Sequence, residues 1–150
     1  MWTRSWLVVI SISMNALSAQ AGPDQAPEKR FGIEADSKTY PQSTPKETLA
    51  SLVKAIEAKK IDYVLAQLAD PEWVDRRVKE TVGGFAALVE ESKARLVDDP
   101  AAVKRLAKML ADGDWKIETA TASVRLKETD SPVLFFRKAN GRWYVENRKK

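Results

Sequence analysis

The sequence predicts an α+β fold, with several short N-terminal helices packed on a bent antiparallel sheet of about three strands. Three observations carry this expectation. Apolar residues recur at helical spacing through the first two-thirds of the chain, in segments that open on capping residues and prolines. After Gly113 the apolar period drops from about 3.6 to about 2. Near its end the chain reaches Asn140-Gly141, the dipeptide that most favours a two-residue hairpin turn.

The opening residues, MWTRSWLVVISISMNALSAQAG, have the layout of a secretory signal peptide. Arg4 supplies a positive start and Trp6 to Leu17 an apolar run. Ala19 and Ala21 are the small residues a signal peptidase inspects, so cleavage is expected between Ala21 and Gly22. The run is interrupted by Ser11, Ser13 and Asn15 and is shorter than the roughly 20 residues a spanning helix needs. An exported chain, periplasmic or extracellular, with no membrane span after cleavage is therefore expected. Residues 22–43 are rich in Pro, Gly, Gln and charge without periodicity and read as a flexible leader. In that stretch Phe31, Ile33 and Tyr40 are the apolar points able to dock. A single α+β domain is expected over 44–150.

The domain opens on a capping box. Thr44 is the N-cap, Pro45 the first helical residue and Glu47 the reciprocal partner. Leu49, Leu52, Val53 and Ile56 follow as one apolar stripe, and Ile61, Val64, Leu65 and Leu68 as a second. Asp70-Pro71 restarts the chain towards Trp73, Val74 and Val78. Gly83-Gly84 breaks the pattern before Phe85, Leu88, Val89 and Leu96. Asp99-Pro100 begins a last helix through Val103, Leu106, Ala107 and Leu110.

In DWKIETATASVRLKE, Trp115 and Ile117 share one parity, whereas Ala120, Ala122, Val124 and Leu126 share the other. One flat strand cannot put both sets on one face, so a β-bulge near Glu118 or Thr119 is expected. Further strands are expected over 133–138 and 142–147. A type I′ turn at Asn140-Gly141 pairs Lys138 with Trp143, Arg137 with Tyr144, Phe136 with Val145 and Phe135 with Glu146. Leu134, Phe136, Trp143 and Val145 then form the core face. Val133, Phe135, Arg137, Tyr144, Glu146 and Arg148 form the outer face, with a cation–π contact expected between Arg137 and Tyr144.

Composition excludes several chemistries. The 150 residues contain neither His nor Cys. Metal sites built on those residues, Ser-His and Cys-His nucleophiles, disulfides and lipid attachment through cysteine are all ruled out, and no cofactor is implied. Without Arg4 the charge is +3, from 24 basic and 21 acidic residues, and residues 137–150 alone carry +5. The body is thus slightly acidic. A short basic end is unlike the basic faces with interleaved aromatics of nucleic-acid binders, so no nucleic-acid partner is expected.

The stretches TPKETLASLVKAIEAKKIDYVLAQLADPEWV at 44–74 and SPVLFFRKANGRWYVEN at 131–147 resemble the nuclear-transport-factor-2-like, or SnoaL-like, superfamily. The resemblance is to its small exported bacterial type, whose fold is the cystatin-like α+β roll, and it extends over roughly residues 44–147. The helical middle, 75–111, departs from it, because many members place a strand there. The resemblance implies a cone whose concave sheet encloses a pocket and whose outer sheet face pairs in a dimer. Members include isomerases, dehydratases and binding modules. Family enzymes often place an Asp–His pair or a Tyr in the cone, and no position of this His-free chain matches such a catalytic motif.

Among candidate site residues, the carboxylate pairs come first. Asp99 reads as an N-cap, Asp112 and Asp114 as turn residues, and Glu90-Glu91 as a solvated helix face, so no catalytic or metal-binding residue is assigned. Arg76, Arg77 and Lys79 read as another solvated face. Trp73, Phe85, Trp115, Phe135, Phe136, Trp143 and Tyr144 are the candidates for a pocket or contact face, set against their commoner use as core. The expected function is a non-enzymatic binding or interaction domain of the cell envelope. Its candidate partners are a small apolar ligand, an envelope component, or a second copy through the outer sheet face. The alternative is a small isomerase- or dehydratase-type enzyme acting on an apolar ligand in a cone-shaped pocket.

Overall fold

The computed structural model describes residues 29–128 and 130–148. The signal segment, with Ala19, Ala21 and Gly22, lies outside the described residues.

Two short strands come first, β1 (Lys29–Arg30) and β2 (Ile33–Glu34), joined by Phe31-Gly32. Phe31 has φ +50 and Gly32 φ +81. The left-handed backbone is uncommon for a bulky residue, and here its ring stacks on Phe85 with centroids 4.1 Å apart. The described part of the segment expected as a flexible leader is built into the fold. Tyr40 is 3 % exposed and packs on Tyr63, and the Tyr63 hydroxyl accepts from the Asp36 amide at 2.9 Å.

The helices start where the caps predict. α1 (Pro45–Glu57) carries the complete capping box, with the Glu47 amide donating to Thr44 Oγ1 at 3.1 Å and the Thr44 amide donating to Glu47 Oε2 at 3.2 Å. Its stripe of Leu49, Leu52, Val53 and Ile56 is buried, and each such side chain contributes roughly 1.5–3 kcal/mol of burial. α2 (Ile61–Tyr63) widens into a π-helical turn, Val64–Leu68, in which every residue is buried. α3 (Pro71–Glu80) and α5 (Pro100–Asp112) are capped by Asp70 and Asp99, which accept from the Glu72 and Ala101 amides. Between them, α4 (Gly84–Leu96) starts after Gly83 without a side-chain cap.

The sheet is a four-stranded antiparallel meander of β3 (Asp114–Ile117), β4 (Thr121–Arg125), β5 (Leu134–Ala139) and β6 (Arg142–Glu146). The expected bulged strand is in fact a hairpin. Its turn, residues 118–120, is closed by the Glu118 amide donating to the Thr121 carbonyl at 2.8 Å. Ile117 pairs with Ala122 and Trp115 with Val124. The parity switch in the sequence is what folding one strand back on the other produces when an odd-numbered residue faces an even-numbered one. The final hairpin keeps the expected register, from Ala139 opposite Arg142 to Phe135 opposite Glu146. Asn140 and Gly141 have φ +53 and +76, as a type I′ turn requires.

α1 packs on β6 and on α5. Together with the π turn, Leu88 of α4 and Met109 of α5, it covers Ala122, Val124, Phe136 and Trp143. β6 ends the sheet, and its outward backbone groups are taken up by other segments. The Trp143 amide donates to the Gln42 carbonyl at 3.0 Å, and the Asp70 amide donates to the Val145 carbonyl at 2.9 Å. Such pairing shields an edge that would otherwise recruit another strand.

Candidate functional site

The last residues of β6, the first of β5 and the three helices α3 to α5 do not close completely on one another. They leave a cleft of about 370 Å³, within the size range of small-molecule sites, roughly 300–1,000 Å³. Leu52 lines it from α1, Val64 and Leu65 from the π turn and Ala69 from the residue after it, Leu88, Leu96 and Leu106 from α4 and α5, and Leu134 and Val145 from the sheet. The π turn matters here, because its wider winding sits where Val64 and Leu65 meet the cleft.

The polar residues of the cleft are Arg77, Glu91, Ser92, Arg95, Glu146, Asn147 and Arg148. Glu91 bridges two arginines, with Oε1 accepting from Arg95 at 2.7 Å and Oε2 lying 3.5 Å from Arg77. Arg77 also faces Glu80 at 3.6 Å. Arg148 lies 3.0 Å from Glu146 Oε2 and covers the Phe135 ring at 4.4 Å. The Arg148 contact lacks hydrogen-bond geometry, and this oxygen of Glu146 is buried without a hydrogen bond.

Two of the seven aromatic candidates, Trp73 and Phe135, line this cleft. Phe136 and Trp143 are buried in the core, and Trp115 lies against Phe136 at 5.6 Å with Lys46 over its ring. Phe85 holds the stack with Phe31. Tyr144 is 1 % exposed, so it is not available as an outer contact residue. Burial raises the pKa of its hydroxyl, against the nearby charges of Arg142, Arg30 and Arg137. The cation expected over its ring is a different one. Arg142 sits 5.5 Å from the centroid, whereas Arg137 is drawn away to Asp70 at 2.6 Å and Glu72 at 3.3 Å. Burial alone would lower the Arg137 pKa, but the bond to Asp70 and the two carboxylate charges outweigh it and raise it.

Of the carboxylate pairs, Asp99 caps α5 as expected, and Asp114 belongs to β3, where it faces Arg125 at 3.8 Å. Glu90 is exposed, but Glu91 is half-buried at the cleft mouth, as is Arg77, and neither lies on a merely solvated face. Sequence reasoning missed this cluster. The one local signal was the spacing of Glu91 and Arg95, which puts them on one face of a helix. Among the described residues no group of three or more acidic side chains could hold a metal ion, and no helix is long and apolar enough to cross a membrane. No family model matches the chain, and neither does any curated protein or solved structure.

Proposed function

We propose that this chain is an exported, non-enzymatic binding domain of the cell envelope whose cleft takes up a small apolar ligand. The observation that carries the reading is the cleft itself: an opening of about 370 Å³ lined mainly by apolar side chains, with Arg77, Glu91, Arg95, Glu146 and Arg148 as its charged groups. The polar set there contains no nucleophile paired with a base, and each carboxylate has an arginine beside it. That arrangement orients a ligand without offering it a reacting group. The signal-peptide layout of residues 1–21 supports export, and the likeness to the nuclear-transport-factor-2-like superfamily agrees with a sheet-and-helix pocket.

The test uses Nile red, a neutral apolar dye, with the chain recovered from the periplasm of an expression host. Mass measurement of that chain should give an N-terminus at Gly22. Wild-type protein should bind the dye saturably, one per chain, with enhanced fluorescence. Ser92→Trp, which fills the half-exposed mouth from α4, should abolish the enhancement while leaving the fold intact by circular dichroism. Equal dye binding by both proteins, or none by either, would overturn the reading.

A further inference from the structure

Resting on the reading of the cleft as a small-molecule site, we propose that its natural ligand is an amphipathic monocarboxylate. The apolar tail lies between the sheet end and α4, and the carboxylate meets Arg77 and Arg95 at the mouth. Charge complementarity commits the occupant. Three guanidinium groups (Arg77, Arg95, Arg148) and two carboxylates (Glu91, Glu146) line the cleft, and the third carboxylate of the cluster, Glu80, meets Arg77 at 3.6 Å from outside the lining, so the surface a ligand touches carries an excess of one positive charge that suits a single negative head.

The distances say which arginines are open to it. Arg148 is engaged, between the Phe135 ring at 4.4 Å and Glu146 at 3.0 Å. Arg77 is not held closely: its ion pairs with Glu91 and Glu80 are 3.5 and 3.6 Å long, whereas charge-assisted hydrogen bonds close to about 2.7–2.9 Å. Its side chain is 31 % exposed, so it is partly withdrawn from water, and both of its carboxylate partners, Glu91 and Glu80, stand at long range. Arg95 is 75 % exposed and swings at little cost. The rim already holds a carboxylate, that of Glu91, between these two guanidinium groups, and the ligand head shares or replaces it in the same fork geometry. Leu88, Leu96, Leu134 and Val145 are placed to receive the chain attached to that head.

The experiment compares three probes of one tail length, decanoate, decanol and decyltrimethylammonium, binding to the processed chain by calorimetry at low salt. Decanoate should bind about tenfold tighter than decanol, the difference one charge-assisted contact of about 1.4 kcal/mol makes. That preference should shrink as salt rises. Arg77→Gln should remove most of it without changing decanol binding, Arg95→Gln should reduce it, and Arg77→Lys should retain part. A thermal melt of each variant separates loss of the head contact from loss of the fold, and exposed Arg95 provides a variant that keeps the fold in any case. Equal affinity for decanoate and decanol in the wild type, or tightest binding of the cation, would overturn the carboxylate assignment while leaving the apolar site standing. Failure of all three probes to bind would overturn the site as well.

Discussion

Gln42 looks like a linker residue in the sequence, between Pro41 and Ser43, but in the fold it is 5 % exposed and fully engaged. Its side-chain nitrogen donates to the Gln67 carbonyl at 2.9 Å and the Trp143 carbonyl at 2.7 Å, and its side-chain oxygen accepts from Arg142. Its backbone carbonyl takes the Trp143 amide. One residue thus joins the pre-helical segment, the π turn and β6. Removing the amide leaves buried carbonyls short of a donor, at about 1–3 kcal/mol for a group left unpaired. Gln42→Ala is expected to lose about 3 kcal/mol, read as a lower urea midpoint with unchanged slope. An unchanged midpoint would mean that water replaces these bonds without penalty. Nothing local announces this role, because all these partners lie at least 25 residues away in the chain. A separation of 14 residues likewise hid the pairing of Arg77 with Glu91, which joins two helices across the cleft mouth.

The legible elements are those whose signals are short-range. Thr44, Asp70 and Asp99 cap α1, α3 and α5 through bonds to amides two or three residues on, and each is followed by proline. Asn140-Gly141 sets the register of β5 against β6 for the same reason. The turns that escaped notice carry weaker residues. Glu118-Thr119-Ala120 has no Gly, Asn or Pro, so the β3–β4 hairpin passed for one bulged strand. Phe31-Gly32 puts an aromatic where Asn or Gly is preferred, held there by its stack on Phe85. The π winding of Val64–Leu68 has no sequence mark beyond an apolar stripe that an ordinary helix would share.

The junction of α5 and β3 gives the element scale its test. Gly113 has an ordinary φ of −66, so its requirement is steric and not conformational. A Cβ there would run into the Met109 carbonyl oxygen and Val124 Cγ2, atoms of the helix end and of the sheet. Neither has the freedom of a flexible side-chain tip. Gly113→Ala is expected to destabilise by about 1–3 kcal/mol, the range for overpacking a tight site, measured as a fall in melting temperature. A stabilised variant, as glycine replacement at an open site would give, would show that α5 does not end as closely on β4 as this contact requires.

At the scale of the whole molecule, a core runs from α1 to the inner face of the sheet, a strap of residues 29–43 ties the helices together, and one end is left open. The core faces of β5 and β6 were readable because strand alternation fixes them once the turn is known. The cleft was not, since a cavity is a mismatch between elements that are each well formed alone. What can be said of function therefore rests on that opening. The most direct measurement is a set of amide NMR spectra of the processed chain, with and without decanol. Binding in the cleft predicts shifts concentrated at Leu88, Ser92, Leu96, Leu106, Leu134 and Val145, saturating at one ligand per chain. Shifts confined to the exposed apolar residues Val82 and Ile117, or none that saturate, would contradict it.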